Sequence, residues 1–235
     1  MYDEILESVR NTLNSSEGLH FNAKHYLTMH SHAVGLKNPT ILELGVQSGK
    51  STKLFLNALH QGDQGVLVSV DIDDCSKVAA SPKWQFIRSD STDVKKIIGD
   101  APVLGKGIDM LFIDSLHTTE HVKKELYGFF PYVREGGVIF FDDIDSAPYC
   151  EGGELDSFYV ELENRRILRF VNDVFEANMK QLDLTIYRGW TGLARLEKRS
   201  SLMAELSEPQ GLKERKSKKL WKLKRSLKKR NLMNS

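Results

Sequence analysis

The sequence predicts a doubly wound α/β fold: a seven-stranded sheet, mostly parallel, with helices on both faces and a C-terminal antiparallel hairpin. Short apolar runs alternate with helically periodic segments from Thr40 onward, the pattern of α/β proteins. Two of the runs, 108–117 and 136–143, are nearly unbroken in apolar residues, which is typical of strands buried on both faces. The segment 117–133 between them has apolar residues at helical spacing. A strand, a helix and a strand in this order predict a right-handed crossover between parallel strands.

The first 38 residues are predicted to form helices that precede the sheet. Apolar residues recur at helical spacing in 5–13, a second helical segment spans 21–36, and Asn38 ends it because it precedes a proline. We expect residues 1–38 to be a helical extension that covers the ligand pocket as a lid. The histidines at 20, 25 and 30 do not share one helical face, so we interpret them, and His32, as surface or lid residues rather than zinc ligands.

Residues 39–199 are predicted to form the main domain. Further strands are expected at 40–45, 66–73 and 84–91, and further helices at 51–60, 94–98 and 155–177. The segments 182–189 and 191–199 alternate apolar and polar residues like an antiparallel pair joined at Trp190. A closing hairpin of this kind is unusual for a nucleotide dehydrogenase.

The charge of the chain is divided unevenly. Residues 212–235 contain eleven Lys or Arg and one acid, so this tail carries about +10 and the rest of the chain about −9, although the net charge is +1. An acidic body is not a nucleic-acid footprint. We treat 200–235 as a basic tail with several possible roles: contact with an anionic membrane surface, contact with nucleic acid, a solvated tail, or docking on an acidic neighbouring subunit.

The two cysteines and the apolar runs indicate the cellular compartment in which the protein is expected. Cys75 and Cys150 are far apart and form no disulfide framework, which favours a reducing environment. No run of 18 apolar residues is present, and the first ten residues do not have the composition of a secretory signal. We expect a cytoplasmic protein, peripheral to a membrane if the tail binds one.

Three aspartates close the two buried strands of the crossover unit. Asp114 ends the first run, and Asp142 and Asp143 end the second. The carboxyl ends of parallel strands lie at one edge of the sheet, where open α/β sheets bind their ligands. Carboxylates that converge there repel each other unless a cation lies between them, and oxygen ligands alone suit Mg²⁺. The alternative is that they are strand-end acids that bind a cofactor and cap the next turn.

A glycine-containing turn follows the first predicted strand. Gly45 and Gly49 are separated by three residues, one fewer than a phosphate-binding P-loop requires, and the spacing also departs from the GxGxxG dinucleotide loop. A third loop pattern, E-x-G-x-x-x-G, begins at Glu43 and fits these residues. Asp71 ends the next strand about 20 residues later, where an acid accepts hydrogen bonds from ribose hydroxyls. A solvated strand-end aspartate is the alternative.

These motifs resemble those of class I S-adenosylmethionine-dependent methyltransferases, which have a Rossmann-like fold. The aspartates and His117 resemble the metal-dependent O-methyltransferases of the catechol, caffeoyl-CoA and macrocin type, with cephalosporin-hydroxylase-like proteins as near relatives. The resemblance covers about residues 40–199. It implies methyl transfer from S-adenosylmethionine, with Mg²⁺ or a similar divalent cation, to a hydroxyl of a small molecule such as a sugar, polyketide or phenol.

The resemblance also implies roles for individual residues. Glu43 would help to hold the methionine end of the cofactor, and Asp71 its ribose. The other positions implied to bind the cofactor are the loop residues Gly45, Gly49 and Ser51, the adenine-side residues Ser89, Asp90 and Ser91, and Asp114. The implied metal ligands are Asp114, Asp142 and Asp143. His117, three residues after Asp114, lies where relatives place a catalytic base, and Asp114 is implied to take part in catalysis with it.

Other functions are weighed against this one. Amino-methylating enzymes of nucleic acids carry an Asn/Asp-Pro-Pro-aromatic segment after the fourth strand, where this chain has Asp114-Ser115-Leu116-His117. Two alternatives remain: a macromolecule methyltransferase that uses the basic tail, and a non-catalytic cofactor-binding protein. An NAD-binding oxidoreductase is disfavoured by the loop spacing. The substrate partner is expected to be a small hydroxyl acceptor, and the protein is expected to be a homo-oligomer.

Overall fold

A computed structural model describes residues 2–14, 20–62, 64–153 and 155–209, and within them the predicted fold is confirmed. One sheet contains seven strands in the order β3-β2-β1-β4-β5-β7-β6. The strands are β1 Thr40–Leu44, β2 Val66–Asp71, β3 Trp84–Arg88, β4 Ile108–Ile113, β5 Val133–Asp142, β6 Leu182–Tyr187 and β7 Leu193–Lys198. The first five pair in parallel, and β7 runs antiparallel between β5 and β6.

Helices cover both faces of the sheet. They are α1 Asp3–Asn14, α2 His20–Gly35, α3 Lys50–His60, α4 Val94–Asp100, α5 Thr119–Phe129 and α6 Phe158–Ala177. The first three pack together on one face, where Met29 and Phe55 contact the sheet. The other three lie on the opposite face, where Leu126 and Val171 enter a second core.

The alternation of side chains along each strand explains the two cores. In β1, Ile41 belongs to the core beneath α2 and α3, whereas Leu42 and Leu44 belong to the core beneath α4, α5 and α6. Successive residues of a strand point to opposite faces, so a strand buried on both sides needs an unbroken apolar run. This requirement is why the apolar runs predicted the central strands.

The crossover helix is shorter than the predicted segment 117–133. It begins at Thr119 and ends at Phe129, and a 3₁₀ turn that contains Pro131 connects it to β5. Proline lacks the N–H that an α-helix interior requires, which explains the early end. Strand β5 begins at Val133, three residues before the predicted start, with a register irregularity against β4.

The N-terminal histidines depart in part from the prediction. His25 and His30 are buried, with 4% and 6% of their surface exposed, so a surface position is wrong for both. His30 is paired with Asn57, whose Oδ1 lies 2.7 Å from His30 Nε2. His30 therefore helps α2 to dock on α3.

The C-terminal segment is described as far as Pro209. The backbone N–H of Met203 donates to the Pro131 carbonyl, and that of Ser207 to Asn178 Oδ1, so this stretch is held against the domain. The basic residues 212–235 lie outside the described residues, and their membrane contact stays a prediction. No helix in the part of the chain that the structure describes is both long enough and apolar enough to cross a bilayer.

Lys198 is a fully buried cation at the end of β7. Its Nζ donates to the carbonyls of Phe130 and Val133, at 2.9 Å each, and lies 4.3 Å from the centre of the Phe130 ring. Burial lowers the pKa of Lys198 from 10.5 to about 8. The folded protein therefore releases this proton at a lower pH than the unfolded chain does.

We expect this difference to make stability depend on alkaline pH. Between pH 8 and 10.5 the unfolded chain binds more protons at this position, so the free energy of unfolding should rise with pH. Lys198→Met should remove this component and cost about 1–3 kcal/mol at pH 7, because two buried carbonyls lose their donor. Urea unfolding across this pH range measures both effects, with the exposed Lys95→Met as control. Parallel pH profiles in wild type and Lys198→Met would contradict the assignment.

Candidate functional site

A cavity of about 750 Å³ opens at the edge of the sheet where β1, β2 and β4 end. Strands β2 and β4 lie on either side of β1, and the crossover direction changes there, which is where open α/β sheets form ligand crevices. The volume falls within the range of pockets that enclose small organic ligands. Its walls contain Tyr26, Gly45, Val46, Gln47, Ser48, Lys50, Ser51, Val70, Asp71, Ile72, Ser89, Asp90, Ser91, Asp114, Ser115, Leu116, His117 and His121.

Gly45 allows the loop after β1 to pass close to the end of β4. Its φ is 99°, a left-handed conformation that disfavours residues with side chains. A Cβ at this position would overlap the backbone carbonyl of Asp114. Gly49, with φ 73°, precedes the first residue of α3, and a Cβ there would lie 2.7 Å from the Val78 side chain. Both glycines are therefore required by backbone geometry.

Asp71 connects β2 to the glycine loop. Its Oδ2 accepts hydrogen bonds from the backbone N–H groups of Val46 and Gln47 at 2.8 and 3.1 Å, and its Oδ1 from that of Asp73 at 2.9 Å. Burial raises the pKa of Asp71, but these donors together hold it below the ordinary value. The carboxylate is therefore ionised, lines the pocket and fixes the shape of the loop.

Glu43 lies beneath the loop rather than in the pocket wall. It is fully buried, and its Oε2 accepts hydrogen bonds from Thr52 Oγ1 and Ser69 Oγ at 2.7 and 2.6 Å. Burial raises the pKa of Glu43 to about 7, against the effect of its hydroxyl partners. In this geometry Glu43 supports the start of α3, and any effect on a ligand passes through that helix.

The turn after β3 forms another part of the pocket. Asp90 Oδ1 accepts from the backbone N–H and the Oγ1 of Thr92, at 2.8 and 2.7 Å, and these hydrogen bonds hold the pKa of Asp90 below its ordinary value. Ser89 and Ser91 lie on either side of it, and all three line the pocket. Placement of an adenine ring beside them stays a prediction.

His117 lies between two of the predicted metal ligands. Its Nε2 is 3.1 Å from Asp114 Oδ1 and its Nδ1 is 2.9 Å from Asp143 Oδ2. Burial lowers the pKa of His117, but the two carboxylates outweigh this effect and raise it to about 10. Asp143 has φ 55°, an uncommon conformation that Asn and Asp tolerate better than most residues. The imidazolium therefore balances part of the negative charge at the end of β4 and β5.

Asp142 completes the cluster of acids. Burial, followed by the charges of Asp114 and Asp143, raises its pKa well above the ordinary value, and its Oδ1 is buried without a hydrogen-bond partner among the described residues. Within the same residues, no three His, Cys, Asp or Glu side chains are arranged to hold a metal ion. The oxygen donors, their mutual repulsion and the unpaired Asp142 Oδ1 nevertheless fit a hard divalent cation.

The structure divides the predicted site residues into two groups. Gly45, Ser51, Asp71, Ser89, Asp90, Ser91, Asp114 and His117 line one pocket. Four predicted residues lie outside the pocket wall: Glu43, Gly49, Asp142 and Asp143. Glu43 and Gly49 support the loop. The two aspartates adjoin the pocket through His117 and Asp114. Asp114 therefore lies at the boundary between the pocket and the acidic cluster.

Sequence reasoning missed several residues of the wall. Tyr26 of α2 reaches the pocket, and Lys50 Nζ lies 4.8 Å from the centre of its ring. The docking of α2 depends on long-range packing, which a local pattern does not reveal. His121 lies four residues before the buried Glu125 within α5, a spacing that places both on one side of the helix and could have identified His121.

Comparison with known proteins agrees with this architecture. Residues 42–144 match a family model described as a methyltransferase domain. Demethylmacrocin O-methyltransferase of Streptomyces fradiae is 24% identical over 163 residues, which are 66% of this chain and 40% of the relative. The chain therefore spans less than half the length of that curated relative.

Two solved structures share the fold. The methyltransferase MycE of the mycinamycin biosynthetic pathway, in complex with Mg, S-adenosylhomocysteine and mycinamycin VI, superimposes with a TM-score of 0.58 at 21% identity, over 82% of this chain and 54% of that one. The Podospora anserina methyltransferase PaMTH1, bound to S-adenosylhomocysteine, gives 0.57 at 16% identity, over 85% and 88%. Residues 42–144 are therefore similar to a methyltransferase domain, and the chain shares its fold with these two solved methyltransferases.

Proposed function

We propose that the protein transfers a methyl group from S-adenosylmethionine to a hydroxyl oxygen of a small molecule, with Mg²⁺ held by Asp114, Asp142 and Asp143. The observation that carries the proposal is the position of Asp114, which belongs to both the pocket and the acidic cluster. A methyl donor in the pocket and an acceptor at the cluster would meet at this residue.

The residues of the pocket suit a nucleoside sulfonium. Asp71 offers a carboxylate that accepts hydrogen bonds from ribose hydroxyls. Ile72 and Leu116 line the cavity with 67% and 58% of their surface exposed, so a flat base that covered them would bury apolar area. The N-terminus of α3 has no side-chain cap, and its free N–H groups suit the carboxylate of the methionine portion.

Methyl transfer is an in-line displacement in which the acceptor oxygen bonds to the methyl carbon as the carbon–sulfur bond breaks. S-adenosylhomocysteine leaves, and the hydroxyl proton must be removed. Mg²⁺ bound to the aspartates would offset the negative charge that holds a proton on His117, and the neutral imidazole, whose ring Asp114 and Asp143 orient, would then accept the hydroxyl proton. Bound Mg²⁺ would supply positive charge that stabilises the developing alkoxide.

The acceptor is proposed to be a sugar, polyketide or phenol. The macrolide-type names of two relatives support this class, and the exposed Phe158 and Tyr159 at the start of α6 offer apolar surface near the segment that follows Asp143. Residues 147–149 of that segment contact α6, and the Ser157 N–H donates to the Tyr149 carbonyl.

The test is a methylation assay with the full chain, labelled S-adenosylmethionine and a panel of hydroxylated sugars, polyketides and phenols. We expect methylated product with Mg²⁺, its loss on complete chelation and its return when Mg²⁺ is added. His117→Ala should lower kcat by about 10²–10⁴-fold. Methylation that survives chelation would remove the metal from the proposal, and binding of S-adenosylhomocysteine without turnover on any acceptor would favour a non-catalytic protein.

A further inference from the structure

Three side chains of the pocket are joined to a buried carboxylate that the proposed reaction does not use. Ser91 Oγ lies 2.8 Å from His121 Nε2, which lies 3.4 Å from Glu125 Oε1. Ser115 Oγ donates to the same Glu125 oxygen at 2.5 Å. Ser91, Ser115 and His121 line the cavity, whereas Glu125 is fully buried behind them. The four residues form one hydrogen-bonded chain under the wall of the pocket.

The buried carboxylate determines where the imidazole carries its proton. The hydrogen bond to Glu125 raises the pKa of His121, because it favours the form with hydrogen on Nε2. In that form Nε2 donates to Glu125 Oε1 and to Ser91 Oγ. A serine oxygen that accepts from His121 keeps its own hydrogen free, so Ser91 can donate toward the cavity that it lines.

The order of the strands indicates which part of a nucleoside would meet Ser91. The reacting methyl must lie near Asp114, which follows β4, and the ribose near Asp71, which ends β2. Ser91 follows β3, the strand at the edge beyond β2. The base, which is attached to the ribose on the side away from the methyl, would therefore extend toward Ser91.

We infer that Glu125 and His121 are positioning residues that fix the Ser91 hydroxyl as a hydrogen-bond donor to the base, so that the pocket selects adenine over hypoxanthine. Adenine presents an unprotonated ring nitrogen where hypoxanthine carries an N–H, and a fixed donor pairs with the first and opposes the second. The inference rests on the proposed use of a nucleoside sulfonium, and it adds the residues that set base selectivity.

Calorimetric titration of the full chain with S-adenosylhomocysteine and with its deaminated analogue S-inosylhomocysteine tests the inference. Wild type should bind the adenosyl compound at least about tenfold more tightly, a difference of about 1.4 kcal/mol, because the deaminated base leaves one buried hydrogen bond mispaired. Ser91→Ala should bring the two affinities together. Glu125→Gln removes the charge that holds hydrogen on Nε2, so Ser91 can donate to the imidazole, and the preference should disappear or invert.

Matched variants separate selectivity from simple damage to the pocket. Ser76→Ala changes an exposed serine outside the pocket wall and should leave the affinity ratio at the wild-type value. His121→Ala is the second test if Glu125→Gln unfolds, and it should also reduce the ratio. Equal weakening of both ligands in the Glu125 and His121 variants, or equal affinities in wild type, would overturn the inference. Binding of neither ligand to wild type would overturn the proposed function itself.

Discussion

Asp142→Asn should lower kcat by about 10²–10³-fold and leave the affinity for S-adenosylhomocysteine unchanged. The substitution keeps the shape of the side chain and removes one of three clustered negative charges. Asp142 lies outside the pocket wall, so the ligand contacts are preserved. Steady-state kinetics at saturating Mg²⁺ and calorimetry with S-adenosylhomocysteine measure the two quantities independently.

The metal-free stability of this variant provides a second measurement. Burial and two neighbouring acids raise the pKa of Asp142, so its ionised form is unfavourable in the fold. We expect Asp142→Asn to match or exceed the Tm of wild type in the presence of a chelator, which excludes misfolding as the cause of lost activity. Asp173→Asn on α6, whose side chain is 43% exposed, is the control. Wild-type turnover in Asp142→Asn would refute its role at the acidic cluster.

The second large effect is expected at Asp71. Asp71→Ala removes the acceptor of the Val46 and Gln47 N–H groups as well as the proposed ribose contact. Hydrogen bonds to a charged group contribute about 1.5–3 kcal/mol each, and 1.4 kcal/mol changes an affinity tenfold. We therefore expect the Kd of S-adenosylhomocysteine to rise about 10²-fold, as measured by calorimetry.

The same substitution should act on cofactor binding more than on the chemical step. At saturating S-adenosylmethionine, kcat of Asp71→Ala should stay near that of wild type, because Asp71 lies away from the acidic cluster. Asp73→Ala is a suitable control, since Asp73 is an exposed acid of the same loop whose backbone N–H still reaches Asp71. A Kd unchanged by Asp71→Ala would show that the loop does not depend on this carboxylate.

The central strands, and the adjacency of β4 and β5, were predictable because the physical requirement is local. A strand segment buried on both faces must be apolar at every position, and 110–113 and 138–141 satisfy this requirement. Parallel pairing then places the ends of β4 and β5 side by side, and Ile113 pairs with Phe141 just before Asp114 and Asp142. The meeting of the predicted acids followed from topology alone.

The contribution of the N-terminal helices was less predictable. Tyr26 enters the pocket because α2 docks on α3, and that docking depends on contacts such as His30 with Asn57 that are distant in sequence. The burial of Glu43 beneath the loop, outside the pocket wall, was also unpredictable. A sequence motif fixes the position of a residue along the chain but not the direction of its side chain. Such orientations depend on packing against other elements.

The close passage of Gly45 beside the Asp114 carbonyl has a consequence for how such a site can diversify. Main-chain atoms of Gly45 and Asp114, rather than side chains, set the distance between the loop after β1 and the end of β4. Any methyl group at position 45 would force the two strands apart and misalign donor and acceptor together. Side chains around the acceptor entrance can therefore be exchanged to admit new substrates while the path of the transferred group stays constant.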